Sequence, residues 1–121
     1  MTELNLPFPP VPASRPRVGR WGTFYTEPYK SYKKQIAAWF KENFRGPMLA
    51  GALNVSIEIV AARPKTTKLD FPRPDVDNYA KAVLDGMNKV VFKDDTQVER
   101  LTVSKRWTRK GESPVTLIEI N

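Results

Sequence analysis

The chain has 121 residues, of which 40% are hydrophobic and 27% charged, which is typical of a single globular domain able to bury its own core. Twenty Lys and Arg against 13 Asp and Glu give a net charge of +7, and a basic protein attracts polyanions such as nucleic acid. The chain contains neither Cys nor His, which excludes disulfides, thiolate nucleophiles, Ser-His-Asp triads and imidazole metal ligands. Any metal ligands are therefore oxygen atoms, which suit Mg²⁺, Mn²⁺ or Ca²⁺.

The N-terminal part of the chain predicts a short strand, an irregular loop and a helix. Weak alternation over residues 3–8 indicates the strand, and the proline-rich run 9–17 excludes a regular element because proline lacks an amide donor. Residues 22–26 predict a further short strand or turn. From about Glu27 to Phe44, an apolar stripe at helical spacing predicts an amphipathic helix with a basic exposed side. The stripe consists of Tyr32, Ile36, Trp39 and Phe40.

The middle of the chain predicts a strand, a basic loop and a second helix. Apolar and polar residues alternate over Leu53–Ala61, which indicates a strand with one buried face. Three prolines and four basic residues make 63–74 an exposed, positively charged loop. The second helix is expected to begin near residues 76–78, with Asp77 or Asn78 able to serve as its N-cap, and to run to about Val91.

The C-terminal part of the chain predicts two strands, one between residues 98 and 107 and one between 115 and 120, joined by a hairpin turn at 110–113. The order β-α-β-α-β-β predicts an α+β fold in which two helices pack on a mixed sheet, as one domain over residues 1–121. No apolar run approaches the roughly 20 residues of a membrane span, and the first residues lack the features of a secretory signal. We therefore expect a cytoplasmic protein with no membrane partner.

The acidic residues are unevenly distributed along the chain. All six Asp lie within residues 70–95, and the four basic residues in this segment leave it with a net charge of −2. The rest of the chain contains 16 basic residues and seven Glu, which give it a net charge of +9. A basic body attracts phosphate groups, whereas a group of carboxylates inside it repels them unless a cation lies between. The structural alternative is that these Asp residues serve loops and helix N-caps.

The spacing of these acids is compatible with two interpretations. Asp77, Lys81 and Asp85 are four residues apart and share one helix face, with Asp75 just before them and the pair Asp94–Asp95 beyond the helix. Such spacing fits a salt-bridge ladder worth about 0.2–0.5 kcal/mol per pair. It also fits the ligand set of a hard divalent metal beside a lysine that neutralises phosphate, and the paired acids after the helix favour this interpretation.

The length of the second helix bears on whether these acids form one site. A helix of about 15 residues is about 22 Å long, so the acids beyond its end are far from those at its start. They meet only if the chain turns back sharply, if the helix tilts or ends early near residues 86–88, or if another copy of the chain contributes.

These residues resemble the motif of the RusA family of Holliday junction resolvases, small homodimeric endonucleases often carried by phages and prophages. The family pattern reads Asp-x-Asp-Asn-x-x-Lys, then an Asp in the same helix, then Asp-Asp-x-Gln. Here it corresponds to Asp75-Val76-Asp77-Asn78-Tyr79-Ala80-Lys81, Asp85 and Asp94-Asp95-Thr96-Gln97. The length of the chain and its proline-rich N-terminal segment also fit the family.

The resemblance implies a crossover junction endodeoxyribonuclease that requires Mg²⁺, with Mn²⁺ as a substitute, and that resolves four-way DNA by paired symmetric nicks as a homodimer. It implies that the acids converge in one site. By the match, the metal ligands are Asp75, Asp77 and Asp95, the essential lysine is Lys81, and supporting positions are Asp85 and Asp94. We expect DNA backbone contacts from Arg15, Arg17, Arg63, Lys65, Lys68 and Arg73.

The sequence departs from the family pattern next to the motif, and the residues alone leave other functions open. Pro74 stands directly before Asp75 where arginines are found in the family, and the turn over residues 88–93 contains no Gly. One alternative is a non-catalytic module that binds branched DNA. Another is a small-molecule phosphohydrolase with the same metal site, against which the extended basic surround argues.

Overall fold

The computed structural model describes the backbone of residues 1–14, 17–19, 22–24 and 27–121, and the side chains of residues 1–14 and 28–121. Within these described residues, six strands and two helices follow one another in the order β, β, β, α, β, α, β, β, with a short 3₁₀ helix before the fifth strand. The strands are β1 (Thr2–Leu6), β2 (Arg17–Gly19), β3 (Gly22–Phe24), β4 (Leu53–Ala61), β5 (Val98–Trp107) and β6 (Val115–Ile120). The helices are α1 (Glu27–Asn43) and α2 (Val76–Met87), and the 3₁₀ helix is Asp95–Gln97.

Four of the strands form a mixed sheet in the order β1-β6-β4-β5, while β2 and β3 form a separate antiparallel hairpin. The pair β4–β5 is parallel, and β6 is antiparallel to both β1 and β4. Strand β4 is an interior strand, paired with β5 on one side and β6 on the other, and its alternating residues Leu53, Val55, Ile57 and Ile59 are all buried. The predicted α+β architecture, a mixed sheet with two helices, is confirmed.

The predicted hairpin between the last two strands is wrong, because β4 lies between β5 and β6 in the sheet. The connection from β4 to β5 contains α2, and a strand–helix–strand crossover places the second strand parallel to the first. Strand β6 takes the other side of β4, where Ile118 and Ile120 lie opposite Ile57 and Val55 and are buried with them. Strand β5 is consequently an edge strand.

The two helices pack together on one face of the sheet. Tyr32, Ile36 and Phe40 of α1 are buried, as the stripe predicted, whereas Trp39 is only partly buried. At Gly86 of α2, an added Cβ would lie 2.5 Å from Cδ1 of Ile36, so the absence of a side chain allows α1 to approach closely.

Helix α2 ends at Met87, four residues before the predicted end at Val91. Asn88 leaves the helical conformation, and Lys89 adopts a φ of 65°, a left-handed conformation that usually favours Gly. The chain then turns back, and Val91 and Phe92 are fully buried in the core. The apolar character of Val91 extended the sequence pattern of the helix, although this residue packs from a turn.

The described part of the chain contains no helix that is long and apolar enough to cross a membrane.

Candidate active site

The start of α2 presents two of the predicted metal ligands. Pro74 favours an extended chain before the helix. Asp75 occupies the N-cap position in an extended conformation (φ −67°, ψ 146°). Its carbonyl oxygen accepts a hydrogen bond from the amide of Asn78 at 3.1 Å. The prediction of Asp77 or Asn78 as N-cap is therefore wrong by two or three residues. The Asp75 side chain makes no capping hydrogen bond to the first turn, which the structure describes in full. Asp75 and Asp77, here called the helix-start pair, are both exposed.

In α2, Lys81 forms an ion pair with Asp85, and Asp85 accepts a hydrogen bond from a buried tyrosine of α1. The Nζ atom of Lys81 lies 3.7 Å from Oδ2 of Asp85, and the Tyr29 hydroxyl donates to the same oxygen at 2.6 Å. The Lys81 side chain is 59% exposed and that of Asp85 only 18%. An exposed ion pair of this kind contributes little to stability. Its geometric effect is to hold Lys81 near a carboxylate that is itself fixed by α1.

The turn after α2 carries the last two motif acids, Asp94 and Asp95, here called the acidic turn. Asp94 is the N-cap of the 3₁₀ helix, and its Oδ1 accepts the amide of Thr96 at 2.9 Å. This hydrogen bond lowers the pKa of Asp94. The pKa of Asp95 is raised, chiefly by its hydrogen bond with Asp94, then by partial burial and by the charges of Asp94 and Asp85. The two neighbouring acids therefore differ. Asp94 caps the 3₁₀ helix and has a lowered pKa, whereas Asp95 lies close to two other carboxylates and has a raised pKa.

The helix-start pair and the acidic turn lie at opposite ends of α2. The helix has 12 residues and is about 18 Å long. Near the C-terminal end of β5, Lys105 Nζ donates to the carbonyl oxygen of Pro74 at 2.9 Å, which holds the residues before the helix there. The acidic turn leads directly into the N-terminal end of the same strand at Val98.

A single copy of the chain therefore does not bring Asp75, Asp77 and Asp95 together. Among the residues that the structure describes, no three acidic side chains form a group able to hold a metal ion. The helix ends early, as one route to convergence required, yet the site does not close within one copy.

Basic side chains flank these acids on two surfaces. The loop after β4 exposes four of the predicted DNA contacts, Arg63, Lys65, Lys68 and Arg73. The predicted contact Arg15 lies outside the described residues, and only the backbone of Arg17, within β2, is described. A surface cleft of about 520 Å³ on α1, which sequence analysis did not single out as a contact surface, is lined by Tyr29, Lys30, Lys33, Lys34 and Ala37.

Comparison with known proteins identifies the family to which these elements belong. The model of the family described as endodeoxyribonuclease RusA matches residues 7–121, which includes both helices and the whole acidic motif. The chain belongs to the RusA family. RusA membership indicates a Holliday junction nuclease that acts on branched DNA. The chain is also 26% identical over 130 residues to the uncharacterized protein YqaN of Bacillus subtilis (strain 168), covering 93% of this chain and 92% of that protein.

Three side chains near the acids had no role in the sequence analysis. Tyr29 was counted only within the first helix, and Asn88 only as part of a turn. Gln97 was part of the RusA motif but was given no function, although it makes more side-chain hydrogen bonds than its motif neighbours. The signal for Gln97 was available in the motif, whereas the contact between Tyr29 and Asp85 joins residues 56 apart and has no local signature.

Proposed function

We propose that this RusA-family protein is a Mg²⁺-dependent crossover junction endodeoxyribonuclease that works as a homodimer and resolves four-way DNA by paired symmetric nicks. The observation that carries the proposal is the placement of the motif acids at opposite ends of α2, beside opposite ends of the edge strand β5. Each copy then supplies one part of two identical sites, and a two-fold dimer with two sites matches a junction with two symmetric strands to cut.

The residues present are suitable for a hard divalent metal. All candidate ligands are carboxylates, and the helix-start pair is exposed at the N-terminal end of a helix. The pKa of Asp95 is raised chiefly by its hydrogen bond with Asp94, and the charges of Asp94 and Asp85, which a cation would offset, raise it further. The adjoining Asn88 has a buried Oδ1 atom that lacks a hydrogen-bond partner in the described part of the chain. Asp75 and Asp77 of one copy and Asp95 of a second copy would hold the ion.

The protein's own residues would bind the DNA and orient the scissile phosphate. Lys81, held beside Asp85, would neutralise charge that develops on the phosphate or on the leaving oxygen. The exposed basic loop and the lysine-lined cleft on α1 would contact the flanking phosphates. The chemistry that Mg²⁺ supplies when bound is polarisation of a phosphoryl oxygen and activation of water.

The edge of β5 supports a specific dimer geometry. Leu101 is 42% exposed although it lies on the helix-covered face, in register with buried Val55, and Phe71 and Val76 near the start of α2 are also exposed. A long edge strand with exposed apolar residues favours pairing with another strand. Antiparallel pairing of β5 with β5 of a second copy would place the helix-start pair of one copy and the acidic turn of the other at the same end.

A cleavage assay on a synthetic four-way junction tests the proposed activity. We expect Mg²⁺-dependent paired nicks that EDTA abolishes. The Asp77→Asn variant should retain junction binding but lose cutting, because it removes a ligand without changing the shape of an exposed residue. Glu119→Gln makes the corresponding carboxylate-to-amide change at an exposed position of β6, outside the motif and the basic loop, and should cut normally. Full cutting by Asp77→Asn would contradict the metal-site assignment, and binding without cleavage by the unmodified protein would favour the DNA-binding module.

A further inference from the structure

The Gln97 side chain connects two separate segments of the chain. Its Oε1 atom accepts the backbone amides of Lys93 at 3.0 Å and Asp94 at 3.2 Å. Its Nε2 atom donates to the carbonyl oxygens of Leu49 at 3.0 Å and Gly51 at 3.1 Å. One amide group therefore ties the acidic turn to the segment that leads into β4, and all of its partners are backbone atoms.

Packing of its own side chains contributes little to the position of the acidic turn. None of the three residues of its 3₁₀ helix is buried, so packing does not fix it. The Asp94 carboxylate caps the turn from within. The segment to which Gln97 binds is itself anchored, because the Leu49 amide donates to Val91 O at 2.8 Å and Leu49 is bridged to buried Phe92.

We infer that Gln97 is a positioning residue that holds Asp95 in place for the divalent metal. Gln97 lies two residues after Asp95 and orders the turn from which that carboxylate projects, while Asp94 is engaged in capping the same turn. Three of the four Gln97 hydrogen bonds are exposed to solvent, and exposed hydrogen bonds contribute little net stability. The expected effect of Gln97 is therefore on local order and metal affinity more than on folding.

The inference rests on the proposed metal-dependent nuclease, and its test uses metal binding as well as cleavage. Gln97→Ala removes all four hydrogen bonds, and Gln97→Met removes them while keeping most of the side-chain volume. Mn²⁺ binding to the full-length protein is measured by electron paramagnetic resonance without DNA. Mg²⁺ titrations of junction cleavage and junction affinity in EDTA are measured in parallel. Gln35→Ala, at an exposed position of α1, is the matched control.

Both Gln97 variants should weaken Mn²⁺ binding and raise the half-saturating Mg²⁺ concentration by about 10–100-fold, the usual effect of removing a group that orients a metal ligand. Junction affinity in EDTA and the thermal midpoint should stay close to those of Gln35→Ala, and saturating Mg²⁺ should restore most of the cleavage rate. If Gln97→Ala fails to fold, Gln97→Met decides the result.

Unchanged metal affinity in a folded Gln97 variant would overturn the positioning role. So would a loss of cleavage that saturating Mg²⁺ does not restore, since that pattern indicates general damage to the fold. Failure of the proposed function itself has a different signature: the unmodified protein would neither bind Mn²⁺ nor cut the junction.

Discussion

The division of candidate ligands between the two ends of α2 predicts that two inactive variants complement each other. In the proposed dimer, Asp77→Asn and Asp95→Asn each remove a ligand from both sites, so neither variant alone should cut. In a mixed dimer, the copy with Asp95→Asn still has an intact helix-start pair, and the copy with Asp77→Asn still has Asp95. Those two intact parts meet in one of the two sites.

The size of the recovery follows from the two-fold symmetry. Random exchange in an equal mixture makes about half of the dimers mixed, and each mixed dimer has one complete site of two, so about one quarter of the sites are restored. A mixed dimer cuts one strand only, and its product is a nicked junction. Asp77 and Asp95 are both exposed, and the change to Asn preserves their size, so folding should be unaffected.

The assay uses co-expressed subunits with different tags and a junction labelled on each strand in turn, with products separated on denaturing gels. The matched control mixes unmodified protein with a chain that carries both substitutions. If the sites are shared between copies, that mixture keeps about one quarter of the activity, because its mixed dimers are inactive; if each site lies within one copy, it keeps about half. No recovery in verified, folded mixed dimers of the two single variants would refute the shared site.

Three further predictions concern the dimer edge, the helix contact and acid stability. Leu101→Lys should leave the monomer folded but abolish dimerisation and cutting, measured by analytical ultracentrifugation; a stable dimer would exclude the β5 edge. Gly86→Ala should lower the free energy of unfolding by about 1 kcal/mol in urea titrations, because overpacking against Ile36, about 1–3 kcal/mol, exceeds the gain of about 1 kcal/mol in helix propensity; a stabilised variant would contradict this. Arg106 lowers the Glu112 pKa from 4.5 to about 2, so the ionised pair stabilises the fold above pH 4.5 and this contribution is lost as the pH falls towards 2. Glu112→Gln should therefore be less stable than the unmodified protein at neutral pH, with a difference in urea midpoint that disappears towards pH 2; a difference independent of pH would contradict the assignment.

The sequence was sufficient for the elements with strong periodicity. The alternation of β4 and the apolar stripe of α1 gave their positions directly, because burial of one face repeats every two residues in a strand and about every 3.6 in a helix. The end of α2 was missed because Val91 continues the apolar pattern of the helix while packing from a turn. The pairing of β5 was missed because β5 and β6 are close in sequence, which favours a hairpin between them. Closeness in sequence does not indicate that β4 lies between these two strands in the sheet.

The candidate site was predictable in composition but not in arrangement. The motif named the acids and Lys81, yet their distribution over two ends of a helix follows from where α2 ends and how β5 pairs. The sequence also did not indicate the different pKa shifts of Asp94 and Asp95, because both are acids in the same turn. The Thr96 amide that bonds Asp94, and the partial burial and nearby Asp85 charge that act on Asp95, depend on the fold.

The central position of β4 has a consequence for the synthesis of the protein. Both strands that pair with β4 are synthesised after it, because β5 begins at Val98 and β6 at Val115. Strand β1 pairs with β6 and therefore also lacks its partner until β6 has been synthesised. The sheet therefore cannot close while the ribosome is still translating the middle of the chain, and the apolar face of β4 emerges without its partners. Such non-local pairing slows folding and exposes strand edges to aggregation. Expression at reduced temperature, or with chaperones that shield nascent strands, should raise the soluble yield more than it does for a protein built from local hairpins.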